Sequence, residues 1–135
     1  MPPFCSYDRC FVVSGFKNLI VWQKAHVLAV DILSASKNIR GQDAASFRSQ
    51  LVRAAFSVPA NIAEGRSQES ERQFSRFLKI ALNSSTEVEY HLITCRDIGG
   101  LTHETATSLI QQTIEVRKML YSLLFRITTA SNKGS

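Results

Sequence analysis

The chain is poor in the features that would make it a disulfide scaffold, a membrane protein or a nucleotide-cradling enzyme. Its three cysteines, Cys5, Cys10 and Cys95, are odd in number and show neither a C-x-x-C nor a Cys/His ligand spacing, so neither a disulfide framework nor a zinc site is expected. No apolar run approaches the roughly 20 residues that cross a bilayer. The opening MPPFCSYDRCFVVSG is interrupted by Asp8 and Arg9 and lacks the apolar centre of a signal peptide. These absences predict a soluble protein of the reducing cytoplasm with no membrane partner. The double glycine in IGG, residues 98–100, is not followed by the Lys-Ser or Lys-Thr of a phosphate-binding loop.

Catalytic groupings are equally sparse. His26, His91 and His103 fall on three different segments. His91, near Glu87 and Glu89, could in principle bind a metal or move a proton, but isolated histidines on helical faces are more often surface or satisfied residues. Glu64 and Glu87 offer two carboxylates, yet nothing in their spacing brings them together. The expectation is a non-enzyme with no metal and no cofactor.

What is present is apolar periodicity and an uneven charge. At 135 residues and 44% hydrophobic content the chain fits one domain with a respectable core. The net charge of +5 is divided: residues 37–79 hold eight Lys or Arg against four acids, whereas 80–115 hold Arg96 against five acids. Such asymmetry fits a polyanion partner, subunits that meet through opposite charges, or an ordinary solvated helical surface.

Four segments carry helical periodicity, and none shows strand alternation. The clearest runs from Ser70 to about Arg96, with Phe74, Leu78, Ala81, Ser85, Val88, Leu92 and Cys95 at alternating steps of four and three, a heptad seam. Ser70 and Gln73 form a capping-box pattern at its start, Glu71 suits the positive end of the dipole, and IGG marks its end. An earlier helix, about 19–38, places Trp22, Ala25, Ala29, Ile32 and Leu33 on one face. A second, from about Asp43 as N-cap, aligns Phe47, Leu51, Ala54, Val58 and Ile62. The last, about 103–128 behind Thr102, stripes Leu109, Val116, Leu120, Leu124 and Ile127. The predicted fold is all-α: an up-down antiparallel four-helix bundle over 16–129, with a disordered extension at 1–15 and a tail at 130–135.

Two stretches depart from plain bundle chemistry. In SVPANIAEGRSQES, residues 57–70, Pro59 interrupts a seam that Val58 and Ile62 continue. A proline in a helix interior removes a hydrogen bond and costs about 3 kcal/mol unless the helix bends, so a kinked, continuous second helix is predicted. Asn61, beside the seam, then needs hydrogen-bond partners, expected on a neighbouring helix. Glu64 precedes Gly65, which is expected to supply the left-handed position that closes the helix, leaving 66–69 as the turn. The second stretch is MLYSLLFRI, residues 119–127, where Met119, Leu120, Tyr121, Leu123 and Phe125 exceed one core stripe. They are assigned to an oligomer interface, with burial in the chain's own core as the alternative.

The run SQLVRAAFSVPANIAEG, preceded by FKNLIVWQKAH and followed by FSRFLKIALNSSTEVEYHL, resembles the four-helix-bundle proteins encoded in intervening sequences of bacterial 23S ribosomal RNA genes. That family is in turn similar to the accessory variability protein of diversity-generating retroelements. The resemblance spans about Phe16 to Ile127. It implies a barrel-shaped homopentamer with a basic surface, no catalysis and, in the retroelement relatives, binding to nucleic acid and a reverse transcriptase. Val52 stands where the family commonly has the first of two arginines, leaving Arg53, and Ile39-Arg40 replaces the usual Phe-Pro before the second helix.

The candidate binding residues are Arg72, Arg76 and Lys79, spaced i, i+4, i+7 on the third helix, with Arg66 from the preceding turn and Arg53. Repeated by a symmetric oligomer, this stripe would bind phosphates multivalently, electrostatically and with little sequence preference. Glu69 and Gln73 flank it and offer local partners that would make it an ordinary solvated face. A protein-only scaffold would use the same face to grip an acidic partner.

Overall fold

The computed structural model describes residues 15–133. A short 3-10 turn, Phe16–Asn18, leads into helices α1 (Ile20–Ser36), α2 (Ala44–Arg66), α3 (Glu71–Asp97) and α4 (His103–Lys133). Helix α1 packs on α2 and α4, α2 on α3, and α3 on α4, while the diagonal pairs stay apart. Short connections and this ring of neighbours make the predicted up-down four-helix bundle. The extension expected at 1–15 lies, but for Gly15, outside the described residues, and α4 continues to Lys133, past the boundary expected at 129.

The helix ends follow their local chemistry. Ser70 Oγ accepts a hydrogen bond from the Gln73 amide at 3.1 Å, which is the N-cap half of the predicted capping box. Thr102 Oγ1 does the same for the Thr105 amide at 3.2 Å and starts α4. Asp43 holds the N-cap position of α2, but its side chain makes no cap hydrogen bond. Helix α3 closes as the IGG signal requires: the Gly99 amide donates to the Arg96 carbonyl at 3.1 Å and the Gly100 amide to the Cys95 carbonyl at 2.7 Å. Gly99 has φ +78°, the left-handed conformation that lets both bonds form.

The core follows the predicted stripes, with Leu124 and Ile127 at the end of the α4 stripe only half-buried. All seven seam residues of α3, from Phe74 to Cys95, are buried. On α2, Leu51, Ala54, Val58 and Ile62 are buried and Phe47 packs on their edge. On α1 the stripe turns toward Val21, Leu28 and Ser36, which leaves Trp22 at the rim and Leu33 40% exposed. Leu120, assigned from the sequence to a subunit interface, has 0% exposure in a single chain. It continues the Leu109, Val116 stripe on the inner face of α4, and the alternative of burial in the chain's own core holds for it.

Helix α2 crosses Pro59 without ending, and Pro59 is itself buried. Gly65 is not the residue that closes it. It lies inside the helix with negative φ, and the helix ends at Arg66. Backbone and side chains close it together: the Ser67 amide and Oγ donate to the Glu64 carbonyl at 3.2 and 2.7 Å, Gln68 Nε2 reaches the same oxygen at 3.0 Å, and the Gln68 amide donates to the Gly65 carbonyl at 3.1 Å. Gly65 serves packing instead. A Cβ there would lie 2.7 Å from Phe77 Cβ and 2.9 Å from Phe74 Cδ1, so the missing side chain is what lets α2 and α3 approach near their shared turn.

Candidate functional site

Three polar clusters lock the bundle from within. Asn61 Nδ2 donates to the Ser57 carbonyl at 2.8 Å and to Ser57 Oγ at 3.0 Å, one turn back on its own helix rather than on a neighbour. The neighbouring helix is reached through Ser57, whose Oγ lies 2.8 Å from Ser84 Oγ of α3. Arg117 on α4 reaches across to α3, donating from Nε to Ser85 Oγ at 3.2 Å and from Nη2 to the Ser85 carbonyl at 3.3 Å and to the Glu89 carboxylate. Arg48 donates to the Ser36 carbonyl at 2.9 Å and the Ile39 carbonyl at 3.4 Å, satisfying the end of α1. These arginines are committed to structure and are not available to a partner.

The outer face of α3 is different. Arg72, Arg76 and Lys79 are all exposed, and none makes a salt bridge or hydrogen bond among the described residues. Glu69 and Gln73, the local partners considered from the sequence, are exposed as well and do not pair with them. At 1.5 Å per residue, Arg72 to Lys79 spans about 10 Å. Arg66 is half-buried and engaged at the end of α2.

Arg53 does not join this group. The Ser57–Ser84 contact sets the register of antiparallel α2 and α3, and from it Arg53 lies four residues one way while Lys79 lies five the other. The two are therefore roughly 14 Å apart along the bundle axis. Arg53 instead donates to Ser49 Oγ at 3.3 Å.

The carboxylates and histidines do not converge. Glu64 is exposed on α2. His91 is buried, with Nε2 3.4 Å from Glu87 Oε2 one turn away on α3. His26 stacks on Trp22, the ring centroids 5.1 Å apart. Among the described residues no three His, Cys, Asp or Glu side chains are grouped to hold a metal ion, and no helix is long and apolar enough to cross a membrane. The remaining members of the expected interface divide. Met119 and Leu123 pack against the core, whereas Tyr121 and Phe125 are 58% and 70% exposed.

No curated protein matches the sequence. Among solved structures, the chain is similar to a protein of unknown function from the S23 ribosomal protein family of Bacteroides thetaiotaomicron, with 27% identity and a TM-score of 0.71, over 78% of this chain and 98% of that one. The family model described as 23S rRNA-intervening sequence protein matches residues 17–122, from the turn before α1 through most of α4. A match over that span, on a bundle with the same fold, means that the chain belongs to the 23S rRNA-intervening sequence protein family.

Proposed function

We propose that this chain is a non-enzymatic scaffold that binds the phosphate backbone of nucleic acid through the outer face of α3. The observation that carries the reading is the unpaired stripe of Arg72, Arg76 and Lys79. Like charges one helical turn apart destabilise a helix by a few tenths of a kcal/mol, so a stripe with no acidic partner among the described residues serves binding better than folding. Exposed guanidinium and ammonium groups release condensed counterions when they meet phosphates, which gives affinity with little sequence preference. A symmetric homo-oligomer, the assembly that the resemblance implies, would repeat the stripe and multiply its avidity.

The test is salt dependence. Log affinity for RNA or DNA should fall linearly with log salt, with a slope of about 0.9 per neutralised phosphate on duplex DNA. Replacing Arg72, Arg76 and Lys79 together with Gln should flatten the slope while the helical signal and sedimenting mass stay unchanged. Absence of any salt-dependent binding at low ionic strength removes this reading. A second reading then takes over, that of a protein-only scaffold, which the exposure of Tyr121 and Phe125 favours.

A further inference from the structure

We infer that the adjoining outer faces of α3 and α4 take single-stranded nucleic acid, with Tyr121 and Phe125 stacking on unpaired bases while Arg72, Lys79 and Lys118 hold the flanking phosphates. The inference rests on the nucleic-acid reading above and narrows it to one substrate class.

The register follows from Arg117. Its contact with Ser85 pairs the antiparallel helices at that level. Tyr121, four residues beyond Arg117, therefore comes level with Ala81, and Phe125 with Phe77. Lys79 falls between those two levels. Each four-residue step along α4 also rotates the face by about 40°, so Tyr121 and Phe125 climb from the α3-facing rim, where Arg117 points inward, toward solvent. Lys118 is exposed on the same side of α4, and like Lys79 it has no salt-bridge partner among the described residues. From the level of Arg72 to that of Lys118 is roughly 18 Å, about five nucleotide rises of 3.4 Å.

Cations alone do not distinguish duplex from single strand, but solvent-facing aromatic rings do. In a duplex the base faces are already stacked, and Tyr121 and Phe125 would meet only sugar and phosphate. On a single strand each exposed ring offers a sequence-tolerant stacking platform beside exposed cations.

The experiment uses the full chain with a fluorescein-labelled oligo(dT) of about 20 nucleotides and a mixed-sequence duplex of the same length, titrated at low salt. The double variant Tyr121→Ala/Phe125→Ala should bind oligo(dT) at least about tenfold more weakly and the duplex within about twofold of wild type. Tyr121→Phe should retain binding, because stacking needs the ring and not the hydroxyl. In Phe125→Trp, indole fluorescence should be quenched by oligo(dT) and not by duplex. Equal losses on both substrates, or a double variant indistinguishable from wild type on oligo(dT), overturn the inference while salt-dependent duplex binding keeps the parent reading intact. A fall in sedimenting mass in the double variant also overturns it, since the aromatics would then belong to a contact between copies. Wild-type protein that binds neither substrate overturns the parent reading and this one together.

Discussion

Gly65 on α2 and Phe77 on α3 meet so closely that a Cβ added to the glycine would lie 2.7 Å from the Cβ of the phenylalanine. That distance is set by atoms fixed to two helix backbones, so a rotamer change cannot relieve it. Gly65→Ala gains up to about 1 kcal/mol of helix propensity. Overpacking at such a contact costs about 1–3 kcal/mol, so the net effect is destabilising. The expected result is a Tm lowered by several degrees, and an unchanged or raised Tm would show that α2 and α3 separate freely here.

This contact also marks where the sequence stops being transparent. The α3 seam was legible because its residues repeat at a fixed period, and period maps directly onto burial. The end of α3 was legible because IGG leaves few ways to close a helix. At Gly65 the same residue type carries two meanings, a left-handed closure or a close approach between helices. Only the position of Phe74 and Phe77 opposite it decides between them. Asn61 was expected to bond across the bundle and bonds instead to Ser57, because a short amide reaches one turn back on its own helix more readily than to a neighbour. The roles of Arg48 and Arg117 are not legible in the sequence, since an arginine's reach over 12 or 32 residues of chain has no periodic signature. Within the candidate site the α3 stripe was legible from helical spacing, while the separation of Arg53 depends on inter-helix register that one sequence does not encode visibly.

The Arg117–Glu89 pair gives a second prediction. The two side chains are 20% and 25% exposed, sheltered enough that loss of one leaves the other poorly solvated. Arg117→Met and Glu89→Gln should each destabilise by about 1–3 kcal/mol. The double variant should cost less than the sum, with a coupling of about 1 kcal/mol by double-mutant cycle. Strict additivity in urea melts would mean that the contact holds nothing together.

Cys95 supplies a prediction in pH. It has 0% exposure, and burial pushes its thiol above the usual value of 9.0. The folded state therefore keeps its proton in a range where the unfolded state gives it up. The contribution is fully present below about pH 9 and is lost as pH rises through the raised folded value. Stability of wild type should fall more steeply above that pH than stability of Cys95→Ala, measured as the difference between the two so that lysine and tyrosine titrations cancel. In a Cys5→Ser/Cys10→Ser background, the remaining thiol should react slowly with an aromatic disulfide reagent until urea unfolds the bundle. Immediate reaction in the native state would contradict the burial.

The last prediction separates the charges by place. Arg53 and the α3 stripe are all exposed cations, and a binding mode governed by net charge alone would respond equally to the loss of any of them. Arg53 stands on another helix, roughly 14 Å along the axis from Lys79 by the Ser57–Ser84 register, and its guanidinium donates to Ser49 Oγ. Arg53→Gln should therefore leave both affinity for nucleic acid and its salt slope nearly unchanged. Arg76→Gln, which removes the same charge from the middle of the stripe, should lower the slope on duplex DNA by about 0.9 and weaken binding similarly across sequences. Neither change should move Tm much, because solvent-facing charges contribute little to the fold and the Arg53–Ser49 hydrogen bond is itself exposed. Equal effects of the two single variants would show that the bundle attracts nucleic acid through its overall charge of +5 and that the outer face of α3 is not a site.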